Sequence, residues 1–265
     1  MENVLNIVIA VGIMVALAVI FAFVLILCGH LFVVKRDKKI EEVQNLLAGS
    51  NCGGCGKAGC AQFAESLVKG ESVVTDCNPT SVANKKKIVD LLGGGEVGEE
   101  TVAVVFCNGG DVAIDKFSYQ GYGDCIACNS VSGGIKACPT GCIGKKSCVN
   151  VCPHDALIMN DEGYAHVIKD KCTSCGVCIE TCPKIIIGRI PKKAPVYIAC
   201  SLHCKGKEVK DLCTHGCIAC NICVRSCPNQ AITMENDLPV IDYTKCTGCM
   251  TCVQKCPTKC IKVHE

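Results

Sequence analysis

Cys217-Ile-Ala-Cys220-Asn-Ile-Cys223-Val-Arg-Ser-Cys227-Pro228 is followed, across a short interval, by Cys246-Thr-Gly-Cys249-Met-Thr-Cys252-Val-Gln-Lys-Cys256-Pro257. Each stretch has the spacing C-x2-C-x2-C-x3-C-P, and Cys172, Cys175, Cys178 and Cys182-Pro183 repeat it a third time. In the bacterial two-cluster pattern, the first three thiolates of such a run hold one 4Fe-4S cluster and the fourth, before proline, reaches the neighbouring one. A structural zinc site needs four ligands in two pairs and gives no reason for a third closely spaced cysteine or for the trailing Cys-Pro. Disulfide frameworks belong to short chains in oxidising compartments, and this chain has 265 residues. The runs are therefore read as iron-sulfur ligands.

Exchange of the fourth thiolates assigns the last pair. Cys217, Cys220 and Cys223 take Cys256, while Cys246, Cys249 and Cys252 take Cys227. The unit has an earlier copy, because Cys152-Pro-His-Asp-Ala-Leu-Ile-Met recurs after about 75 residues as Cys227-Pro-Asn-Gln-Ala-Ile-Thr-Met. There the upstream run is irregular, Cys138-x3-Cys142-x5-Cys148-x3-Cys152-Pro153. The same rule gives Cys172, Cys175 and Cys178 with Cys152, and Cys138, Cys142 and Cys148 with Cys182. Nearer the N-terminus, Cys52-Gly-Gly-Cys55-Gly-Lys-Ala-Gly-Cys60 precedes Cys77, a four-thiol module whose glycines let the backbone wrap around a cluster. That makes five 4Fe-4S sites. Cys107, Cys125, Cys200 and Cys213 are a candidate sixth. Cys107 and Cys200 close two β-branched, apolar stretches, Thr101 to Phe106 and Pro195 to Ala199, that could pair as strands, and Cys125 and Cys213 each precede a run. Cys128, Cys204 and Cys260 are read as packed thiols, Cys28 as a small residue at the inner end of the apolar span, and His154, His166, His203, His215 and His264 as surface residues.

The composition supports metal as the source of cohesion. Of 265 residues 28 are Cys, Trp is absent and aromatics make up 4%, so few large side chains remain to build a core. Ligation energy is then folding energy, and the metal-free chain is expected to be largely unfolded. The formal charge of +2 counts every thiol as neutral. Five clusters at −2 each turn it to about −8, which removes any case for a basic protein that binds nucleic acid.

Ile7 to Val34 is almost wholly apolar and long enough to cross a ~30 Å hydrocarbon layer. The leader Met1-Glu2-Asn3 lacks the positive charge of a signal peptide. Lys35-Arg36-Asp37-Lys38-Lys39 follows the span, which places the C-terminal bulk on the cytoplasmic face of the membrane. The expected class is α+β: a single N-terminal transmembrane helix, a small one-cluster module, then tandem bacterial-type two-cluster ferredoxin domains. The segments are an anchor over 1–34, a linker over 35–50, the four-Cys module over 51–92, a connecting strand region over 93–137, a two-cluster domain over 138–194, a second connecting strand region over 195–216 and a second two-cluster domain over 217–265. Gly93-x-Gly95-x-x-Gly98 matches a dinucleotide fingerprint, yet it follows a helix-like stretch, Ser81 to Leu92, and opens no βαβ unit.

Taken in this order, the apolar span, the Cys52/Cys55/Cys60/Cys77 module, the irregular Cys138 to Cys152 run and the tandem repeats resemble the B subunit of the Rnf complexes. These are membrane-bound ferredoxin:NAD+ oxidoreductases coupled to Na+ or H+ translocation. Asp124-Cys125-Ile-Ala-Cys128 departs from the family in its second cysteine. The resemblance implies an electron-transfer component that accepts electrons from soluble reduced ferredoxin and relays them to other subunits of a membrane redox complex. It also implies no substrate chemistry and no flavin or NAD on this chain. Ferredoxins are acidic, so docking calls for positive patches, for which Lys85-Lys86-Lys87, Lys192-Lys193 and Lys205/Lys207/Lys210 are the candidates.

Overall fold

The computed structural model describes residues 2–31, 37–95 and 97–264, in two units, Met1–Glu41 and Glu42–Glu265. In the first, α1 (Glu2–Leu31) is a 30-residue helix, roughly 45 Å long at about 1.5 Å per residue. Large apolar side chains, Ile13, Met14, Phe21 and Leu25 among them, are exposed around it, as in a helix suited to lipid on all sides. Val11–Cys28 is long and apolar enough to span a membrane. Lys35 and Arg36, the flank used to orient it, lie outside the described residues.

Where a linker was expected over 35–50, a helix forms, α2 (Lys38–Leu46). Val43 and Leu47, four residues apart, are both buried, so the segment has the one-sided apolar spacing of a docked helix. Asn84 holds its end by donating to the Leu46 carbonyl at 2.9 Å. Next come α3 (Cys60–Val68) and α4 (Val82–Leu92). The Ser81 hydroxyl caps α4 by accepting from the Asn84 amide, and Gly93, at φ 83°, ends it. The glycine triad is thus the exit from a helix. Phe63, Leu67, Val74 and Ile88 are among the buried apolar residues of this module.

The rest consists of two copies of one plan. The first is β1 (Thr101–Val105), α5 (Cys125–Ser130), α6 (Ser147–Asn150), β2 (Leu157–Met159), β3 (Ala165–Val167), α7 (Val177–Thr181) and β4 (Ile187–Pro191). The second is β5 (Val196–Ile198), α8 (Gly206–Lys210), α9 (Ile222–Ser226), β6 (Ile232–Glu235), β7 (Leu238–Ile241), α10 (Thr251–Lys255) and β8 (Ile261–Val263). In each, an inner hairpin (β2 with β3, β6 with β7) accompanies an outer antiparallel pair (β1 with β4, β5 with β8).

The two strands expected to pair with each other therefore do not. Val102 in β1 faces Ile190 in β4, and Val196 in β5 faces Val263 in β8. The reason lies within each copy: the closing strand presents an unpaired edge, and the apolar run of the same copy's opening strand covers it. The strands expected as connectors over 93–137 and 195–216 are structural parts of the repeats. Gly188 in β4 lets β1's successor approach, since a Cβ there would lie 2.6 Å from the Phe106 ring. The cores that result are shared between aliphatic side chains and thiols. Val102, Val104, Leu157, Ile186 and Ile187 pack with Cys148 and Cys178, and Val196, Ile232, Ile241 and Ile261 with Cys217, Cys223 and Cys252.

Candidate metal centres

The three regular runs fold alike. The residues before and after the middle cysteine have positive φ: Ser174 and Gly176 (60° and 91°), Ala219 and Asn221 (54° and 59°), and Gly248 and Met250 (73° and 59°). The third cysteine then falls in the first turn of α7, α9 or α10. After each Cys-Pro a further left-handed residue, Asp155, Ile185, Gln230 or Lys259, closes a turn onto the cysteine carbonyl. Amides end up directed at sulfur: Ala156 N–H at Cys152 Sγ and Ala231 N–H at Cys227 Sγ, both at 3.3 Å, and Ser174 N–H at Cys172 Sγ at 3.4 Å.

Three of the thiol sets given by the exchange rule, and the N-terminal four-Cys module, are brought together in the structure. Cys217, Cys220, Cys223 and Cys256 ring one void, and Cys227, Cys246, Cys249 and Cys252 another. Cys178 lies within electrostatic reach of Cys172, Cys175 and Cys152. Near the N-terminus, buried Cys77 faces Cys55 and Cys60, and Cys52 sits on the same glycine loop, where Gly53 and Gly56 take positive φ. Cys60 opens α3, its amide held by Asn51 Oδ1 at 2.9 Å, and Cys77 Sγ lies 3.1 Å from the Thr80 hydroxyl.

The remaining set differs from expectation. Cys142, Cys148 and Cys182 surround a void with Cys125, not with Cys138. The cause is visible in the backbone. Between Cys142 and Cys148, Gly144 (77°) and Lys146 (63°) repeat the two left-handed positions of a regular run, and Lys145 stands between them where the middle cysteine would be. Cys125 makes up the missing thiol from the first turn of α5, placed by Asp124, which caps that helix at Ala127 N–H, and by Ser147 Oγ, which accepts from Cys125 N–H at 2.8 Å. Cys138 is instead gathered with Cys107, Cys200 and Cys213 around one void. Sequence reasoning missed this pairing, although it left a signal: Cys138-Pro-Thr-Gly-Cys142 and Cys213-Thr-His-Gly-Cys217 are the same Cys-x2-Gly-Cys motif, once per repeat.

These voids fit 4Fe-4S clusters better than single ions. Among the described residues no three His, Cys, Asp or Glu side chains converge closely enough to hold one metal ion, whereas tetrahedral zinc needs its sulfurs about 2.3 Å from a shared centre. Sulfurs spread around a void, with amides turned toward them, suit a multinuclear core. Burial pushes the Cys148 and Cys178 thiols up to about 12 and Cys142, Cys200 and Cys223 to about 11, so loss of their protons is tied to metal binding. Cys260 is a fifth thiol beside the Cys217 set, 3.6 Å from Cys256 Sγ. Hydrogen bonds from it hold Cys217 and Cys256 below the usual range and raise its own pKa.

Two expectations about charged side chains need correction. Lys85 is buried, not part of a surface patch. Burial lowers its pKa, offset by Cys77 and Glu100, because its place on α4 turns it inward while Lys86 and Lys87 stay exposed. His264 is likewise buried, with Nδ1 2.9 Å from the Ala194 carbonyl and its ring edge-on to Tyr197.

The FeS cluster family model matches residues 47–79, and the 4Fe-4S dicluster domain matches 141–186 and again 216–260. The B subunit of the Na+-translocating ferredoxin:NAD+ oxidoreductase complex of Acetobacterium woodii is 40% identical, covering 91% of this chain and 73% of the relative. This chain belongs to the family of Rnf B subunits. The proton-translocating counterpart from Clostridium ljungdahlii is 38% identical over 88% of this chain and 84% of its own. The B subunit of an ion-translocating oxidoreductase complex from Methanosarcina acetivorans is 35% identical over 89% and 90%. As an Rnf B subunit, the chain is an iron-sulfur component of an oxidoreductase complex. Cys107, Cys125, Cys138, Cys200 and Cys213 all fall outside the matched domain segments.

Proposed function

We propose that this chain is the electron relay of a membrane-bound ferredoxin:NAD+ oxidoreductase coupled to Na+ or H+ translocation. It takes single electrons from reduced ferredoxin and hands them to other subunits, with no substrate chemistry of its own. Five 4Fe-4S clusters are held by Cys52/Cys55/Cys60/Cys77, Cys152/Cys172/Cys175/Cys178, Cys125/Cys142/Cys148/Cys182, Cys217/Cys220/Cys223/Cys256 and Cys227/Cys246/Cys249/Cys252. The observation that carries the reading is the succession of four-thiol sets through one compact unit, Glu42–Glu265. Each cluster, when bound, supplies reversible one-electron reduction. The chain's own groups do the rest. Thiolates fix position, the aliphatic cores exclude water, and amides such as Ala156 N–H and Ala231 N–H favour the extra negative charge. Flavin and nicotinamide belong to partner subunits. The glycine triad supports this, because it leaves a helix and leads to β1, the reverse of the strand-to-helix order of a dinucleotide cradle.

α1 anchors the chain in the membrane, with Glu42–Glu265 in the cytoplasm, where soluble ferredoxin is available. Docking falls to exposed lysines: Lys86 and Lys87, Lys193, and Lys207 with Lys210. Lys205 is engaged by Asp237 at 2.9 Å. In the full-length chain in detergent, reduced ferredoxin is expected to bleach the visible absorbance while NADH leaves it unchanged. Charge reversal at the exposed lysines is expected to raise the ferredoxin KM and flatten its salt dependence. Direct reduction by NADH overturns the relay reading, and an unaltered KM overturns the docking surface.

A further inference from the structure

We propose that Cys107, Cys138, Cys200 and Cys213 hold a sixth 4Fe-4S cluster that joins the two ferredoxin repeats into one conductor. The proposal rests on the cluster reading of the other sets. The site is a product of the duplication. Each repeat contributes the cysteine that follows its opening strand, Cys107 after β1 and Cys200 after β5, and the cysteine four residues ahead of its first run, Cys138 and Cys213. Local contacts repeat with it. Cys142 N–H points at Cys107 Sγ at 3.4 Å, and Cys217 N–H at Cys200 Sγ at 3.3 Å. Gly141 N–H bonds the Cys138 carbonyl at 3.1 Å, and Gly216 N–H the Cys213 carbonyl at 3.3 Å. Two halves that match in sequence, turn and amide direction make a built site and not a chance gathering of buried thiols.

The donor chemistry narrows the occupant. The void is lined by four thiols together with Gly109, Ala113, Ala199, Leu202 and a few small polar residues, with no carboxylate or imidazole facing it. Hard cations are thus excluded. Gly109 keeps the space open, since a Cβ there would stand 3.1 Å from Cys213 Sγ and 3.7 Å from Cys107 Sγ. As with the other sets among the described residues, the sulfurs ring a space without converging as they would on a single zinc ion.

Position gives the role. Cys142 belongs to the Cys125/Cys142/Cys148/Cys182 set and Cys217 to the Cys217/Cys220/Cys223/Cys256 set, and these same residues donate their amides to Cys107 and Cys200. One residue therefore separates the bridging site from the nearest set in each repeat. A reduced cluster on one side gives up one electron and is oxidised, the bridging core passes from 2+ to 1+, and the electron moves on to the other side with no proton or bond change.

The test is an anaerobic count of iron, acid-labile sulfide and zinc in the full chain. Six clusters give about 24 irons and 24 sulfides per chain. Cys107→Ala and Cys213→Ala are each expected to lose about four of both, the double variant the same four, and Cys107→Ala with Cys125→Ala about eight. A wild-type count near 20 that Cys107→Ala leaves unchanged overturns the sixth site while sparing the other five. Stoichiometric zinc lost with Cys213→Ala overturns the electron-carrying role. A wild-type count far below 20 overturns the five-cluster reading instead. Should the variants fold poorly and lose nearly all iron, the wild-type count alone decides.

Discussion

Lys145 occupies the place of a ligand without being one. Its neighbours Gly144 and Lys146 hold the left-handed conformations that flank Cys175, Cys220 and Cys249 in the regular runs. A non-glycine residue pays about 1 kcal/mol or more for that conformation, so the path through Lys146 persists because the fold around the thiols imposes it. This makes Lys145 the natural seat of a fourth thiol. Cys125→Ala is expected to remove about four irons per chain, the content of one cluster, and adding Lys145→Cys to restore them. Iron that is unchanged by Cys125→Ala, or not restored in the double variant, sinks the assignment. At this scale the three regular runs were fully legible from spacing. The irregular run was not, because left-handed positions filled by Ser174, Ala219, Asn221, Met250 and Lys146 give no glycine signal, and an x5 gap hides a standard backbone with one ligand moved elsewhere.

Among the elements, the hairpins β2/β3 and β6/β7 were readable as apolar stretches around a polar turn. The outer pairs were readable only as single strands. Which strand β1 covers depends on long-range closure with β4, beyond any local pattern. The glycine loop of the first module shows what such closure does for function. Gly54 lies against the Cys175 carbonyl, which a Cβ would overlap, and close to Cys52 Sγ. The first thiol set is therefore seated directly on the second. Overpacking at such a contact costs about 1–3 kcal/mol, enough to lift the loop without touching a ligand. Gly54→Ala is expected to keep full iron while slowing electron exchange between the module and the Cys152/Cys172/Cys175/Cys178 set, seen as a lagging phase in stopped-flow reduction. Unchanged kinetics with unchanged iron would show that this contact carries no electrons.

Across the whole molecule, contacts order the sets from the Gly54 loop, through the first repeat and the bridging thiols, to the end of the second. That order was not legible in the sequence, which shows the regular runs but not which set touches which. The same arrangement explains how a chain with no Trp and 4% aromatics folds at all. Helices α5 to α10 run from four to six residues and every sheet has two strands, elements far below the length or strand number that holds alone in water. Their cores contain the ligand thiols themselves. With metal bound, each set of four thiolates would share one core that ties two or more elements together. Without it, burial holds Cys148 and Cys178 protonated. Stripping the iron by anaerobic chelation is thus expected to unfold Glu42–Glu265, with loss of its far-UV signal and rapid proteolysis, while α1, whose hydrogen bonds are internal and whose apolar face needs only detergent, stays helical. A protease-resistant fragment spanning the two repeats after complete iron loss would show that aliphatic packing suffices and that the clusters are passengers in the fold.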